Sequence, residues 1–451
     1  YKFLNMKKLN LVGIDISESS IKVLQLDNKN KIFAYGSAPL SAGVVEKGSI
    51  NEVEAFATVL NDVLKKTKPN VLYSKDNAIS AVFSLPESKL FTHFCIVPNT
   101  IDRSQIENYV LTEAQKIIPF AIDSLYWSIH ILEEENSDLK ATFISVQKTD
   151  LDNYIEAFSH TSVRPVLVVG ELFSLGQALL PESLSNDGYI ILDIGAHFTT
   201  IGIFGVDTVP NMSISVPQGG EHFTRFLAEK LSISLDEAEQ LKKQFGVDST
   251  HDNTKVPILL RECLMPITDK INEAKVYFET QTGSQIKHII LAGGSALLPQ
   301  ISAFISEKVG IETQIANPFS KIKRHRVFGG STQGVFFANV IGLTLRSTSD
   351  DFSHINLFTK YKRDENNKME FISLRNIHSF SDFYNLIAQI IQITKIQIFR
   401  WFKAIKKQIH KSMDLTKSLL QNSSSKTKLF SSIFLVLLSL VFLTWVVITY
   451  F

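Results

Sequence analysis

The sequence predicts an α/β protein of two related lobes around a ligand cleft, followed by a helix that spans a membrane. Two segments, LVGIDISESSIKV (11–23) and IILDIGAHFTTIGI (190–203), share one pattern: an apolar strand, an Asp, a small-residue turn and a second apolar strand. Aligning Asp15 with Asp193 gives an offset of 193 − 15 = 178 residues, which is one domain length. The repeat predicts two halves around a cleft, the usual place for a ligand. The uncharged apolar run 429–451 predicts the span.

Composition limits the class of protein. With 451 residues the chain is too long for one compact core, and its apolar content suits two or more folded domains. Its 46 Lys and Arg residues balance 45 Asp and Glu residues, and the net charge of +1 argues against nucleic-acid binding. Cys95 and Cys263 stand far apart, which argues against structural zinc and fits a reducing compartment. Residues 11–16 are too short an apolar run for a signal peptide, so export is not expected.

The C-terminal apolar run has roughly the 20 residues that a helix needs to cross a bilayer. A buried core helix is the alternative. Lysines precede the run, and the positive-inside rule keeps such a flank in the cytoplasm. We therefore expect the globular part on the cytoplasmic side of the inner membrane, with a single-pass C-terminal anchor. The flanking lysines are Lys406, Lys407, Lys411, Lys417, Lys426 and Lys428.

The turns of the repeat predict a nucleotide site with a metal ion. Backbone N–H groups in a tight turn of small residues bind anions, and small side chains let phosphate oxygens approach closely. Asp15 and Asp193 would repel phosphates unless a cation lay between, so we expect them to bind a hydrated Mg²⁺, while Lys22 adds positive charge. Each segment alone also fits an ordinary β-hairpin. The candidate phosphate-binding turn residues are Ser17, Ser19, Ser20, Gly195, Ala196 and Thr199.

A third segment, IILAGGSALLPQI (289–301), supports the nucleotide site. It predicts an apolar strand, a Gly293-Gly294 turn and a helix with Ser295 as its N-cap and Pro299 in its first turn. The two glycines would let a flat ligand approach the backbone, although such a pair is more often a plain turn.

Two phosphate turns followed by a Gly-Gly turn resemble the ATPase superfamily of actin, FtsA and the heat-shock chaperones. The segment QGGEHFTRFLAEKLSISLDEAEQLKKQFG (218–246) resembles the PilM family of type IV pilus assembly proteins, in which a Gly-Gly turn opens a helix and an A-E-x-x-K motif follows. The resemblance implies ATP and Mg²⁺ in the cleft. It places Gly219 and Gly220 at the nucleotide, and Glu239 and Lys242 beside the ribose and adenine. The alternative for the last two is an exposed i, i+3 ion pair.

The first half also resembles the FtsA-type inserted subdomain of this superfamily. VFSLPESKLFTHFCIVPNT (82–100) and LTEAQKIIPFAIDSLYW (111–127) carry that resemblance. The residues themselves predict an α+β subdomain with a strand, a helix over 102–117 that ends before Pro119, and further strands to Val146.

VVGELFSLGQALL (168–180) resembles the segment that links the two halves, and this resemblance gives Glu171 the role of a carboxylate near the attacking water. The turns depart from the superfamily pattern. Ser17 stands where relatives often have Gly, and Ala196 and His197 stand where strong ATPases carry a Gly-Gly or Gly-Ser-Thr pattern. We therefore expect slow hydrolysis at most, with ATP acting mainly as a structural ligand.

Beyond residue 345 the actin-like pattern gives way to a polar linker. Within it, I-N-L at 355–357 resembles the short I-N-L-L-P motif of PilN, a membrane partner whose N-terminus inserts into a groove of PilM. Phe and Thr at 358–359 replace Leu and Pro, and a solvated linker is the alternative. Residues 382–420 predict a basic amphipathic helix that lies on anionic lipid headgroups or packs on a partner helix.

The predicted fold class is α/β, an actin-like (ribonuclease H-like) two-lobed ATPase fold with an FtsA-type inserted subdomain and a C-terminal transmembrane helix. The predicted function is an ATP-binding cytoplasmic scaffold of the type IV pilus inner-membrane assembly platform. Expected partners are the PilN-like motif, in cis or from another chain, other platform proteins, the inner membrane and further copies of the chain. The alternatives are an FtsA-like cell-division tether and a sugar-kinase-type phosphotransferase, for which no Asp base is evident. The predicted boundaries are 9–90 with 166–205 for the first lobe, 91–165 for the inserted subdomain, 206–345 for the second lobe, 346–381 for the linker, 382–420 for the amphipathic helix and 429–451 for the span.

Overall fold

A computed structural model describes residues 11–348 and 355–358, except for 28, 68–70, 72–78, 133–137, 182–183, 185–186 and 324–330. All of them fall within one compact unit, residues 1–363. The predicted amphipathic helix and membrane span lie outside the described residues. Within the described ranges, no helix is both long enough and apolar enough to cross a membrane.

Groups of strands are separated by helices along the described chain, as in an α/β fold. The strands are β1 (Val12–Ile16), β2 (Ser20–Leu26), β3 (Ile32–Pro39), β4 (Val45–Glu46), β5 (Ser49–Ile50), β6 (Ile79–Leu85), β7 (Leu90–Val97), β8 (Leu125–Leu132), β9 (Leu139–Gln147), β10 (Val163–Gly170), β11 (Gly188–Ile194), β12 (Thr199–Phe204), β13 (Pro210–Val216), β14 (Ile286–Ala292) and β15 (Glu312–Ile315). The helices are α1 (Val53–Lys66), α2 (Ile106–Gln115), α3 (Lys148–Ser159), α4 (Glu171–Leu179), α5 (Gly220–Leu231), α6 (Leu235–Phe245), α7 (Val256–Thr282), α8 (Ile301–Val309) and α9 (Ala338–Thr348).

Two five-stranded sheets repeat one topology. The first has the order β10-β6-β1-β2-β3, and the second has the order β13-β12-β11-β14-β15. In each sheet an antiparallel meander of three strands is extended by two parallel strands. The repeated sequence segments are β1–β2 and β11–β12, so the duplication that the sequence predicts is present at the centre of both sheets.

Each sheet buries apolar strands under helices. In the first lobe, every residue of β1 and β6 is buried, as expected for strands covered on both faces. The helix α1 contributes an apolar stripe at helical spacing, with Phe56, Leu60 and Leu64 among its buried residues. The aromatic rings of Phe83 and Phe158 pack with their centroids 4.8 Å apart in this core. The second core is built from the second sheet with α5, α7 and α8.

The sheet assignments correct two of the predicted lobe boundaries. Strands β11 and β12 pair with β13 and β14, so residues 188–204 belong to the second lobe and not to the first. The last helix, α9, returns to the first sheet. A Cβ on Gly13 of β1 would lie 2.8 Å from Cγ2 of Thr344, and a Cβ on Gly342 would lie 1.7 Å from the carbonyl oxygen of Ser174 in α4. Only glycine allows these close approaches, so residues 338–345 belong with the first lobe.

The inserted subdomain is a three-stranded sheet, β7-β9-β8, covered by α2. The predicted helix over 102–117 is shorter in the structure, because Asp102 accepts a hydrogen bond from Ser104 N and opens a 3₁₀ turn before α2. Helix α3 packs into the core of the first lobe through Tyr154 and Phe158. The predicted end at 165 is therefore wrong, since the subdomain stops with β9.

Candidate functional site

A cleft of about 560 Å³ lies between the two lobes, within the usual size range of small-molecule sites. Most of the residues that the sequence selects line it. Ser20, Thr199 and Gly219 do not. The predicted residues that line the cleft are Asp15, Ser17, Ser19, Lys22, Glu171, Asp193, Gly195, Ala196, Gly220, Glu239, Lys242, Gly293, Gly294 and Ser295.

The first turn, between β1 and β2, is closed by its own serines. Ser17 N donates to the carbonyl oxygen of Ser20 at 3.0 Å, and Ser20 N donates to Ser17 Oγ at 3.1 Å. The Ser17 hydroxyl also donates to the Ser20 carbonyl oxygen at 3.0 Å. Ser17 and Ser20 therefore shape the turn, and Ser19 at its tip is exposed.

The second turn, between β11 and β12, is held by helix α5. Gly220 N donates to the Gly195 carbonyl oxygen and Glu221 N donates to that of Ala196, both at 2.9 Å. A Cβ on Gly219 would lie 2.5 Å from the Ala196 carbonyl oxygen, so the turn and the helix start touch directly. Thr199 Oγ1 donates to the Gln218 carbonyl oxygen at 2.6 Å. Thr199 and Gly219 thus hold the second turn in place without lining the cleft themselves.

The two repeated carboxylates have different surroundings. Lys22 Nζ lies 2.9 Å from Oδ2 of Asp15, and Asn339 Nδ2 donates to Oδ1 of Asp15 at 2.8 Å. No described side chain makes a hydrogen bond or ion pair with Asp193. Burial, together with the nearby charge of Asp15, raises the pKa of Asp193 to about 6. Asp193 is therefore the carboxylate with open coordination, as a cation ligand requires.

Asn339 is a cleft residue that the sequence analysis missed. It stands in α9, and its Nδ2 also donates to Ser84 Oγ at the end of β6, at 2.9 Å. Its Oδ1 accepts from Ser174 Oγ in α4. One amide thus links three elements of the first lobe to Asp15. The local signal is a polar residue in the otherwise apolar first half of α9, 338–343, which by itself indicates no site.

Glu171 and Glu87 lie at the start of α4. Glu171 is the first residue of the helix, and burial raises its pKa well above the usual range, with further contributions from Asp193 and Asp15. Glu87 accepts a hydrogen bond from Leu172 N at 3.1 Å through Oε1, while its buried Oε2 has no hydrogen-bond partner among the described residues. Burial raises the pKa of Glu87 to about 7. The sequence analysis did not select Glu87.

Glu239 and Lys242 form the i, i+3 ion pair that was the alternative, but Lys242 is buried, Glu239 is only partly exposed, and the pair is hydrogen-bonded to α5. Lys242 Nζ lies 2.6 Å from Oε2 of Glu239 and donates to the Gly220 carbonyl oxygen and to Thr224 Oγ1, both at 2.8 Å. Burial opposes ionisation of Glu239, but hydrogen bonds from Lys242, Thr224 and Lys243 outweigh it and lower the pKa of Glu239 to about 2. The network ties α6 to the helix that holds the second turn.

The Gly-Gly turn follows β14 and faces Asp193. Gly293 has a φ of +79°, and a Cβ there would lie 2.4 Å from Oδ1 of Asp193, so glycine is required on both counts. The predicted helix start is wrong, because a 3₁₀ turn over Gly294–Leu297 comes first and α8 begins only at Ile301. Ser295 is thus not a helix N-cap. Pro299 precedes the helix, and its carbonyl oxygen accepts from Val247 N at 3.0 Å.

A histidine bridges the two turns. His197 in the second turn lies 2.8 Å, through Nε2, from Oε2 of Glu18 in the first turn. Its Nδ1 lies 3.4 Å from Oε2 of Glu221 at the start of α5. Glu18 also accepts a hydrogen bond from Lys47 N at 2.8 Å. The lobes therefore touch across the mouth of the cleft.

The edge of the first sheet holds a second binding contact, made by the chain itself. Residues 355–358 lie beside β10, with Ile355, Leu357 and Phe358 buried in the core of the first lobe. Asn356 Oδ1 accepts from Val168 N at 3.1 Å and Asn356 Nδ2 donates to the Val166 carbonyl oxygen at 3.3 Å. Leu357 N donates to the Val168 carbonyl oxygen at 3.1 Å.

An irregularity in β10 opens this edge. The register of β10 with β6 shifts between Pro165 and Leu167, which leaves Val166 outside the regular ladder. The carbonyl oxygen of Val166 is the one that Asn356 reaches. The side-chain amide of Asn356 therefore satisfies backbone groups of an edge strand that would otherwise need another strand.

Comparison with known protein families identifies the family of this chain. The model of the family described as Type IV pilus assembly protein PilM matches residues 13–348. The chain belongs to the PilM family. A solved PilM-PilN type IV pilus biogenesis complex superimposes with a TM-score of 0.63 at 20% identity, over 76% of this chain and 99% of the solved chain. The expected actin-like, two-lobed α/β fold is thereby confirmed for this PilM-family protein.

Cell division protein FtsA appears among the relatives of this PilM-family chain. FtsA of Bacillus subtilis (strain 168) is 24% identical over 68% of this chain and 78% of the relative. FtsA of Streptococcus pneumoniae serotype 2 (strain D39 / NCTC 7466) is 20% identical over 85% of this chain and 89% of the relative. The FtsA relationship that the motifs indicate is confirmed, but the match to the PilM family favours pilus assembly over the division alternative.

The metal prediction rests on two carboxylates. Among the residues that the structure describes, no group of three or more His, Cys, Asp or Glu side chains is placed to hold a metal ion. Mg²⁺ keeps several water ligands and binds proteins through one or two carboxylates plus substrate phosphates. Asp193 with Asp15 therefore fits an ion that arrives with a nucleotide and does not fit a permanent metal centre.

Proposed function

We propose that this PilM-family protein is an ATP-binding scaffold of the type IV pilus assembly platform, on the cytoplasmic side of the inner membrane. The observation that carries the proposal is the meeting of two small-residue turns and two repeated carboxylates on one cleft between the lobes. This arrangement suits a polyphosphate with a divalent cation. A single-pass anchor over 429–451 would tether the scaffold to the membrane.

Each cleft residue has a distinct task in this proposal. Asp193 binds the cation directly, and Asp15, held in place by Lys22 and Asn339, binds its water ligands. Lys22 and those turn N–H groups that do not already donate within the turns bind phosphate oxygens. Glu239 and Lys242 hold the ribose and adenine end, where their mutual pairing keeps both side chains ordered. The bound Mg²⁺ would supply charge neutralisation between the carboxylates and the phosphates.

Hydrolysis is slow in this proposal, on the order of one turnover per minute or less. Glu171 is the candidate to orient water, and the turns of the cleft lack the fuller glycine and threonine pattern of strong ATPases. Burial, together with the nearby charges of Asp193 and Asp15, raises the pKa of Glu171 well above its usual range. ATP then acts as a clamp between the lobes more than as a fuel.

The C-terminal segment acts as a PilN-like peptide bound in cis. The solved relative is a complex of PilM with PilN, and the I-N-L motif of this chain is hydrogen-bonded to the edge strand β10. The short tether from α9 makes the encounter intramolecular, so substitutions at 358–359 are tolerated. The segment couples the ATP-binding body to the following membrane-proximal part of the chain.

Isothermal titration with ATP and Mg²⁺, combined with limited proteolysis, tests this function on the full-length chain. We expect ATP to bind, and we expect Asn356→Ala to speed cleavage between 347 and 368 while ATP affinity is unchanged. Loss of the amide leaves backbone groups of β10 unpaired, which costs about 1–3 kcal/mol. Asn108→Ala, on the exposed side of α2, is the matched control.

Absence of ATP binding in the unmutated chain would refute the scaffold's nucleotide role. If the stretch 347–368 of the unmutated chain is cut as fast as a free linker, the segment is only a tether.

A further inference from the structure

One aromatic ring stands exposed inside the cleft. Phe336, in the 3₁₀ turn Ser331–Phe337, is 45% exposed, whereas its neighbour Val335 is buried at 3%. Both line the cleft. An exposed phenyl ring in a concave site leaves apolar surface in water that a ligand can cover. Phe336 has no task in the proposed nucleotide-binding function.

The Gly-Gly turn connects this ring to the phosphate end of the cleft. A Cβ on Gly293 would lie 2.4 Å from Oδ1 of Asp193, and a Cβ on Gly294 would lie 3.1 Å from Cε1 of Phe336. Gly293 thus adjoins Asp193, and Gly294 adjoins Phe336. A side chain at 294 would press on the ring, so glycine there leaves the ring accessible.

The same cleft is lined by Glu239 and Lys242, which hold the sugar and base in the proposed function. Ser295 Oγ lies 2.8 Å from the position of a Cβ on Gly220, and Lys242 Nζ lies 3.5 Å from that position. Ser295 follows Gly294 directly, so Phe336 is a near neighbour of the α5–α6 network. Leu298, which also lines the cleft, adds a further apolar wall.

We propose that Phe336 stacks on the base of the nucleotide in the cleft and is the residue that makes the protein bind a nucleoside triphosphate more tightly than an inorganic polyphosphate. A nucleotide joins a charged end, suited to the turns and Asp193, to a flat aromatic end, suited to an exposed phenyl ring. Stacking is tolerant of base identity, so Phe336 provides affinity for a base and not the choice between purines. This inference rests on the proposed nucleotide function.

Titrations of the full-length chain with two probes, ATP and inorganic tripolyphosphate, both with Mg²⁺, test the inference. We expect Phe336→Ala to weaken ATP binding about tenfold, the usual size of a lost base–aromatic stack, and to leave tripolyphosphate binding within about twofold. Phe336→Trp keeps a flat ring and should bind ATP as tightly as the parent. Tyr277→Ala, which removes an exposed ring from α7 outside the cleft, is the matched control and should change neither affinity.

The outcomes separate this inference from the function on which it rests. If the parent binds neither probe, both are overturned. If the parent binds ATP and Phe336→Ala binds it equally well, only the stacking role is overturned. Phe336→Leu separates stacking from packing, because full ATP affinity in that variant would show that the ring supplies apolar bulk alone. Equal losses for ATP and tripolyphosphate in Phe336→Ala would show a distorted cleft and would also overturn the stacking role.

Discussion

The first and second turns of the cleft come from one repeated motif, yet the carboxylate before the first turn has a cationic partner and the one before the second turn has none among the described residues. Asp15 stands opposite Lys22 in the register of the first sheet, and Asp193 stands opposite Thr200 at the equivalent place in the second. Asp15 is paired with Lys22 at 2.9 Å, while no described side chain pairs with Asp193. A single register position therefore decides which carboxylate is part of the fold and which is open to a ligand.

The difference between Asp15 and Asp193 shows that the two copies of a duplicated motif can have different roles. A paired buried carboxylate stabilises the folded state only as long as its partner remains, because a lone buried charge is costly. An unpaired one gives up stability and stays available for a cation. The first lobe thus holds its carboxylate in an ion pair, and the second lobe leaves its carboxylate open to the proposed cation.

Exchanging the two carboxylates for alanine gives the largest expected effects. Asp15→Ala leaves Lys22 without its partner and should lower the free energy of unfolding by about 3 kcal/mol. Asp193→Ala removes an uncompensated charge and should leave the free energy of unfolding equal to or above that of the parent, yet weaken ATP·Mg²⁺ binding about 100-fold. Denaturant titration without nucleotide, followed by isothermal titration with ATP, separates the two effects.

Thr200→Lys is the reverse test of the same comparison, because it gives Asp193 the partner that Asp15 has. We expect it to abolish the dependence of ATP binding on Mg²⁺ while the protein stays folded. If Asp15→Ala and Asp193→Ala destabilise the fold equally, the division of tasks between the lobes is wrong.

Glu87 is a further cleft carboxylate, and no described Lys, Arg or His side chain forms an ion pair with it. Its folded-state pKa of about 7 lies above its usual value of 4.5, so the folded state holds the proton more tightly. That stabilisation is complete below pH 4.5 and is lost as the pH rises through 7. Glu87→Gln mimics the protonated form. It should raise the free energy of unfolding by about 2–3 kcal/mol at pH 8, and by less than about 1 kcal/mol at pH 5.

Denaturant titrations of Glu87→Gln and the parent at several pH values check this directly. A difference that does not change between pH 5 and pH 8 would mean that Glu87 is stabilised as a carboxylate, like Asp15.

The smallest expected effect concerns the contact between the turns. His197 and Glu18 are partly exposed, and such pairs contribute roughly 0.5–1 kcal/mol. A double-mutant cycle with His197→Ala and Glu18→Ala, measured by unfolding at low and high salt, should give that coupling energy at low salt and less at high salt. A coupling energy of zero at both salt concentrations would mean that the turns are held only by their own lobes.

Local sequence patterns were sufficient to predict the features that depend on interactions between residues near one another in the sequence. The apolar strands, the small-residue turns, the two acidic residues and the Gly-Gly turn all lie within short segments, where periodicity and turn chemistry act between near neighbours. Resemblance to the PilM family then indicated the A-E-x-x-K pair, and resemblance to PilN indicated the I-N-L motif. For the same reason the predicted core strands β1 and β11 agree with the structure.

Only the tertiary structure decided which residues, distant in the sequence, contact these locally predicted strands, turns and motifs. Asn339 reaches Asp15 across 324 positions of the chain, and Asn356 reaches Val168 across 188. Phe336 meets Gly294, and α9 returns to the first sheet, through chain reversals that leave no periodic mark in the sequence. Strands β11 and β12 pair with β13 and β14 and not with the strands of the first sheet. This pairing, which corrected the lobe boundary, is likewise decided by the tertiary structure. Such contacts depend on how the whole chain closes on itself, and short-range pattern carries no information about that closure.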